Sequence, residues 1–323
     1  MSTGNFTPAR WLTNPHLQTL WASTCRPTIP LETRRERIEL PDGDFVDLDW
    51  GTRQQGPIAI VFHGLEGSSR SGYVRGIMSA LQEKGWQAVV MNFRGCSGEP
   101  NRLSRSYHSG DTGDIEYIVR LLKAKYPSTP VAAIGYSLGG NALLKWLGET
   151  GTKNRLDAAV AISVPFDLDC AATTLRDSAW GIYQNHLLKR LKRTVNAKRH
   201  LLDGAIDLGK AFSAKDFHAF DDAVTAPLHG FNDVHDYYAK SSSRQYIPGI
   251  ATPTLILHAA DDPFMSQKSI PSNHELPVPV QLEVSEHGGH VGFIDPHGYW
   301  LEQRIPGFLE TFKYFHPNEN QVR

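Results

Sequence analysis

The chain has 323 residues, 40% of them hydrophobic, which is enough for one large domain with an insertion or for two smaller domains. Its 33 basic and 34 acidic residues nearly balance, which removes the electrostatic reason to expect nucleic acid as a partner. Three scattered cysteines, Cys25, Cys96 and Cys170, exclude a disulfide framework and a C-x-x-C zinc site.

The chain begins with a segment that has no clear periodicity. Residues 1–33 mix Pro, Thr and Trp and predict an irregular N-terminal arm, which we expect to pack on the main domain through Trp11, Leu17, Leu20 and Trp21. No basic stretch precedes an apolar run as in a signal peptide, and no run of about 18 apolar residues predicts a membrane span. The sequence therefore predicts a cytoplasmic protein.

A sheet is predicted from a series of short apolar runs. A hairpin is expected first, with Arg37–Leu40 and Phe45–Trp50 on either side of a Pro-Asp-Gly-Asp turn. The later runs are Ile58–Phe62, Ala88–Phe93, Val131–Ile134, Ala158–Ile162, Thr254–Leu257 and a last strand at Val280–Val284. Most of them are apolar at nearly every position, which is typical of parallel strands covered on both faces.

Helical patterns separate several of these runs. Tyr73–Lys84, Asp114–Lys125 and Asn141–Gly148 carry apolar residues at helical spacing or directly follow a strand. This alternation predicts an α/β fold with a mostly parallel, doubly wound sheet and right-handed crossovers.

The alternation of strands and helices stops between the apolar runs Ala158–Ile162 and Thr254–Leu257. Residues 165–249 show helical patterns, including Ala179–Lys198 and Leu201–Leu208, and no strand-like run. We predict that they form a helical cap inserted into a single domain spanning residues 1–323. The basic stretch Lys189–Arg193 within the cap is interpreted as a solvated helix face, with contact to an anionic lipid surface as the alternative.

Gly135-Tyr136-Ser137-Leu138-Gly139 is a G-x-S-x-G motif. An apolar strand runs directly into it and a helical pattern leaves it, which is the setting of a nucleophile elbow in an α/β-hydrolase. Glycines fit there because larger side chains would collide with neighbouring elements at so tight a turn. We predict that Ser137 is a nucleophile and that the N–H of Leu138 points toward a developing oxyanion.

A serine hydroxyl needs a base and an acid, which follow the nucleophile in chain order in this fold. Asp262 is preferred as the acid over Asp261 because Pro263 would enforce a turn directly after it, although both carboxylates could simply cap that turn. His290, in a glycine-rich loop after the last strand, is predicted as the base. His287 is the alternative.

The oxyanion requires a second donor. The loop His63-Gly64-Leu65-Glu66-Gly67 follows an apolar strand at the place where this fold supplies one, so we assign that role to the N–H of Leu65. The remaining histidines form no ligand cluster, and neither a metal nor a cofactor is expected.

The residues also carry a resemblance to a known family. The motifs concerned are Asn14–Thr19, His63–Gly67, Arg94–Gly98, Tyr107–Asp111, Gly135–Asn141, Gly230–Phe231, Asp236–Tyr238, Ala260–Pro263 and Gly288–His290. Through them the chain resembles the YheT-like branch of the α/β-hydrolases, which includes the membrane-bound vertebrate abhydrolase-domain proteins 1, 2 and 3. The family motif falls on Ser137, Asp262 and His290.

The resemblance implies the α/β-hydrolase fold and a carboxylic ester hydrolase acting on small esters or on lipids such as acylglycerols or phospholipids. The vertebrate relatives carry a membrane anchor that this sequence is expected to lack, which leaves peripheral membrane contact as the alternative. Two other functions stay open: an acyltransferase using the same triad, and a catalytically silent binding scaffold. Epoxide hydrolase and dehalogenase chemistry is excluded, since both need Asp where Ser137 stands. The oligomeric state is not indicated.

Overall fold

The computed structural model describes residues 2–3 and 6–313, and a nine-stranded sheet forms its centre. The strands of this sheet are β1 Ser2–Thr3, β2 Arg34–Glu39, β3 Phe45–Trp50, β4 Ile58–Phe62, β5 Gln87–Asn92, β6 Val131–Tyr136, β7 Ala158–Ile162, β8 Thr254–Ala259 and β9 Val280–Ser285. Their order is β1-β9-β8-β7-β6-β4-β5-β3-β2. All neighbouring pairs are parallel except β2 with β3 and β3 with β5. A separate antiparallel pair consists of β10 Ile294–Asp295 and β11 Gly298–Tyr299.

Alternate residues of each central strand point to opposite faces of the sheet, and both faces are buried. In β4, Ile58, Ile60 and Phe62 contribute to one apolar cluster, and Ala59 and Val61 contribute to another. The helices of the main domain are α1 Pro15–Leu20, α2 Gly72–Glu83, α3 Gly113–Lys125, α4 Leu138–Thr150 and α12 Leu301–Leu309. α3 and α4 cover the first face, and α2 and α12 cover the second. The predicted α/β-hydrolase fold with a mostly parallel sheet is confirmed.

The segment between β7 and β8 contains α-helices of four to 16 residues. They are α5 Leu168–Asp177, α6 Ile182–Ala197, α7 Arg199–Leu202, α8 Leu208–Ser213, α9 Phe217–Phe220, α10 Ala226–His229 and α11 Val234–Ser241. They share an apolar cluster of their own, which includes Leu175, Tyr183, Leu188, Phe217 and Tyr238. We refer to residues 168–249 as the cap.

Two of the predicted helices in this segment are wrong in detail. A helix over Leu201–Leu208 does not form, because α7 ends at Leu202 and Gly204 adopts a φ of +79°. The helix predicted from Ala179 begins only at Ile182, since Ala179 and Trp180 have positive φ angles.

The N-terminal arm packs on the domain through residues other than those predicted. Trp11, Leu17, Leu20 and Trp21 are 39–62% exposed, so the prediction that they bury the arm is wrong. The arm instead buries Phe6, Ala9, Leu12, Gln18, Thr19 and Ala22. The polar face of α1 is the buried one because Gln18 and Thr19 form hydrogen bonds with the backbone of the segment that carries His290.

No helix within residues 6–313 is long and apolar enough to cross a bilayer. Parts of two predictions, residues 1, 4 and 5 of the arm and residues 314–323 of the domain, lie outside the described residues.

Candidate active site

The turn between β6 and α4 holds Ser137 in a strained conformation. Its φ is +50° and its ψ is −117°, a combination that L-residues rarely adopt. The flanking glycines are required by close contacts: a Cβ at Gly135 would lie 2.5 Å from the carbonyl oxygen of Gly139, and a Cβ at Gly139 would lie 2.5 Å from the carbonyl oxygen of Phe62. Strand, sharp turn and helix therefore lift Ser137 above the carboxyl ends of the strands.

Three predicted residues meet at this edge of the sheet. The Nε2 atom of His290 lies 3.0 Å from the Oγ atom of Ser137, and its Nδ1 atom lies 2.8 Å from Oδ2 of Asp262. The other carboxylate oxygen of Asp262 accepts a hydrogen bond from the N–H of Phe264 at 2.8 Å. The Phe264 ring stacks on the His290 imidazole at 4.1 Å, so the imidazole is held on its edge and on its face.

The neighbouring Asp and His form a different contact. Oδ2 of Asp261 lies 3.2 Å from Nδ1 of His287, and Oδ1 of Asp261 accepts a hydrogen bond from the N–H of Gly289. The alternatives Asp261 and His287 thus pair with each other and fix the loop that carries His290. The imidazole that contacts the Ser137 hydroxyl is that of His290, and the carboxylate that contacts this imidazole is that of Asp262.

Thr19 and Gln18 contribute to the site in a way that their sequence pattern does not indicate. The Thr19 hydroxyl donates to the carbonyl of Pro15 at 2.8 Å and accepts from the N–H of His290 at 2.9 Å. The Gln18 amide exchanges two hydrogen bonds with the backbone of Ile294. α1 thereby holds both ends of the His290 loop. The only available signal was their place in the Asn14–Thr19 motif.

Two backbone N–H groups near the serine are unpaired within the described residues. The N–H groups of Gly64 and Glu66 bond to the hydroxyls of Tyr73 and Tyr107, at 2.8 and 2.7 Å. The N–H of Leu65 between them, like that of Leu138, has no hydrogen-bond partner within residues 2–3 and 6–313. The loop also approaches the elbow closely: a Cβ on Gly64 would lie 3.3 Å from the Cβ of Ser137.

His63 fixes the start of this loop from the interior. Its Nε2 accepts from the N–H of Phe93 at 3.1 Å, so the proton lies on Nδ1, which donates to the carbonyl of Gly64 at 2.8 Å. Complete burial lowers the pKa of His63 to about 4, so the ring stays neutral at physiological pH. His63 therefore shapes the loop and is not placed to act as a base.

The segments Arg94–Gly98 and Tyr107–Asp111 order this edge of the sheet. The buried Arg94 guanidinium binds both oxygens of Asp114 at 2.7 Å. The carbonyl of Ser109 accepts from the side chain of Asn141, one turn along α4 from the serine. Burial raises the pKa of the Cys96 thiol well above its ordinary value, which keeps it protonated and a poor nucleophile.

The cap encloses a cavity of about 460 Å³ over the serine. The residues of the main domain that line it include Ser137, Leu65, Leu138 and His290. Apolar side chains of the cap line much of the remaining wall, including Leu168, Leu175, Phe217 and Val224. A cavity of this size with a mostly apolar wall is typical of a site for an apolar small molecule.

The cap also contacts the loop that carries Leu65. The hydroxyl of Thr194 on α6 donates to the carboxylate of Glu66 at 2.8 Å, and Arg190 on the same helix donates to the carbonyl of Glu66. The position of α6 is therefore coupled directly to the conformation of this loop.

Comparison with known proteins gives one family and several relatives. A family described as alpha/beta hydrolase fold matches residues 57–296. YheT of Escherichia coli (strain K12) is 44% identical over 96% of this chain and 94% of its own length. Phospholipase ABHD3 of Mus musculus is 31% identical over 93% of this chain and 75% of its own length.

Solved structures agree in fold. An esterase of Pyrococcus furiosus, Pf2001, superimposes with a TM-score of 0.58 over 96% of this chain and 98% of its own. Its sequence identity is 18%, so the likeness concerns the fold alone.

Proposed function

Because the chain belongs to the α/β-hydrolase family, we propose that it is a serine hydrolase that cleaves carboxylic esters through an acyl-enzyme. The observation that carries the proposal is the continuous hydrogen-bonded path from Ser137 through His290 to Asp262, with distances of 3.0 and 2.8 Å. In the proposed mechanism Ser137 is the nucleophile, His290 the general base and Asp262 the group that orients it.

The first half of the reaction acylates the serine. Oγ of Ser137 attacks the ester carbonyl carbon while Nε2 of His290 takes the hydroxyl proton. Asp262 accepts a hydrogen bond from Nδ1, which selects the tautomer with a free Nε2 and stabilises the imidazolium that forms. The C–O bond to the alcohol then breaks, and His290 returns the proton to the departing oxygen.

The tetrahedral intermediate needs donors that are already in position. The free N–H groups of Leu65 and Leu138 are proposed to bind its oxyanion, and the loss of one such donor typically reduces the rate about 10²–10³-fold. The hydroxyls of Tyr73 and Tyr107 bind the N–H groups of Gly64 and Glu66. The Leu65 N–H between them has no partner in the part of the chain that the structure describes, which favours this role for it.

Water completes the cycle. His290 removes a proton from a water molecule that attacks the acyl carbon, and collapse of the second intermediate releases the acid and regenerates Ser137. The apolar wall of the cavity supports an ester whose acyl chain is hydrocarbon-like, since burial of each methylene group contributes about 0.8 kcal/mol.

Replacement of the nucleophile tests the proposal. S137A should lose hydrolysis of p-nitrophenyl esters by about 10⁴-fold or more with an unchanged circular dichroism spectrum, and should no longer be labelled by a fluorophosphonate. C96A is the control, because it removes the nearby thiol and should retain both activity and labelling. Retained turnover in S137A would end the proposal, and ester formation with added glycerol in place of free acid would assign an acyltransferase instead.

A further inference from the structure

Exposed apolar side chains are concentrated in two short segments. Among the residues that the structure describes, seven large hydrophobic side chains are exposed, and six of them fall between positions 11 and 21 or at 180 and 182. We call these six the apolar rim: Trp11, Leu17, Leu20, Trp21, Trp180 and Ile182. The seventh, Val278, precedes β9 at the opposite edge of the sheet. Single exposed apolar residues are common, but a group of six is not.

The two segments are neighbours in space. Nδ1 of His16, next to Leu17, lies 3.1 Å from the hydroxyl of Tyr183, next to Ile182, and the two rings stack. Leu20 and Ile182 are exposed and also line the cavity that contains the serine. The apolar rim therefore lies beside the cavity, and Leu20 and Ile182 connect the two.

Trp180 is exposed to solvent and has a strained backbone conformation. Trp180 is 93% exposed, and both it and Ala179 adopt left-handed φ angles of 51° and 45°. Such conformations are unfavourable for residues other than Gly, Asn or Asp. No packing within the described chain compensates this strain at Trp180, which indicates that its partner lies outside the protein.

The helix that begins at the rim carries charge of one sign. α6 begins at Ile182 and contains four Lys or Arg residues and no Asp or Glu. Lys189 and Arg193 fall on the same exposed helix face as Ile182, about two and three turns further along. Neither forms an ion pair with residues 2–3 or 6–313. Apolar side chains with Trp beside free cations are the pattern of a surface that binds anionic lipid.

We propose that the apolar rim, with Lys189 and Arg193, docks the protein on an anionic lipid surface and turns the mouth of the cavity toward it. The tryptophans enter the interface between headgroups and acyl chains, and the two cations contact lipid phosphates. This inference rests on the proposed function only for its last step, the transfer of a lipid ester from that surface to the serine.

The test measures vesicle binding separately from catalysis. Full-length S137A is mixed with sedimentable vesicles of phosphatidylcholine alone or of two parts phosphatidylcholine to one part phosphatidylglycerol. We expect sedimentation with the anionic vesicles, weakened by salt, and quenching of tryptophan fluorescence by brominated lipid. In the same background W180S and W11S/W21S should each bind at least about tenfold more weakly, and K189E/R193E about 30-fold more weakly.

Matched controls lie at the opposite edge of the sheet. V278N removes the exposed apolar residue outside the rim, and K153E/R155E reverses two exposed cations just before β7. Both should bind anionic vesicles like S137A. With Ser137 intact, the rim variants should hydrolyse a soluble p-nitrophenyl ester at the normal rate, because none of their substituted residues lines the cavity.

The outcomes separate the two proposals. If the parent protein does not hydrolyse soluble esters, the proposed ester hydrolase activity is refuted and the vesicle-binding result still stands. Equal binding by S137A and all rim variants, or no binding to either vesicle, would overturn the docking surface. A concentration-dependent dimer that W180S dissociates, without vesicle binding, would assign the rim to a second copy of the chain and also overturn it.

Discussion

Replacement of Thr19 by Val tests whether the N-terminal arm positions the proposed base. The substitution keeps the shape of the side chain and removes the hydroxyl that joins the carbonyl of Pro15 to the N–H of His290. Thr19 is buried to 7% exposure and lies in the wall of the cavity. The backbone donor of His290 would lose its partner at the residue whose side chain must stay 3.0 Å from the oxygen of Ser137.

The size of the effect follows from that lost hydrogen bond. A buried donor without a partner costs about 1–3 kcal/mol. If the His290 loop shifts to relieve this cost, the activation free energy rises by a similar amount, and kcat should fall by about 5- to 150-fold. T19S keeps the hydroxyl and should retain most of the activity.

The assay compares kcat and KM for a soluble p-nitrophenyl ester among the parent protein, T19V, T19S and T174V. Thr174 is the matched control, since its hydroxyl also bonds to the carbonyl four residues earlier but touches no part of the His290 loop. We expect the loss in kcat to be confined to T19V. Full activity in T19V, or an equal loss in T19S and T19V, would refute a positioning role for the hydroxyl.

Two further predictions concern the acid and a buried histidine. D262N should lower kcat by about 10⁴-fold because it favours the wrong tautomer of His290, whereas D261N, which only loosens Gly289, should lower it far less; equal losses in the two variants would contradict the assignment. His258 is buried with neither ring nitrogen bonded to the described chain, and burial lowers its pKa to about 4. The unfolded imidazole, with a pKa near 6.5, takes up a proton first, so folding stability is lost as pH falls from about 6.5 to 4. H258L should therefore raise the free energy of unfolding by about 1–3 kcal/mol at pH 7 and by about 3 kcal/mol more near pH 4, measured by urea unfolding. Equal unfolding midpoints for H258L and the parent protein at both pH values would refute this.

The central strands could be predicted because their burial leaves a direct trace in the sequence. A strand covered on both faces is apolar at consecutive positions, as in Ile58–Phe62 and Ala158–Ile162, and the structure has strands with those same bounds. The elbow at Ser137 was predictable for a related reason, since a turn so tight admits only glycine at positions 135 and 139.

The arm could not be predicted in the same way. Its large apolar residues Trp11 and Trp21 contact each other at 4.9 Å but remain exposed, whereas the polar residues Gln18 and Thr19 are buried. Hydrophobicity ranks these residues in the opposite order. Gln18 is buried because its hydrogen-bond partner is Ile294, which is 276 residues away along the chain, and periodicity contains no information about such a contact.

The two segments that carry the apolar rim also contact the proposed catalytic groups from outside the sheet. The arm bonds to the N–H of His290 through Thr19, and α6 bonds to the loop of Leu65 through the Thr194–Glu66 contact. A surface that binds Trp21 or Trp180 would restrain the same short elements that set the base and the oxyanion donor. Substrate delivery and positioning of the reacting groups would then depend on one set of contacts, which gives a physical reason for exposing tryptophan there.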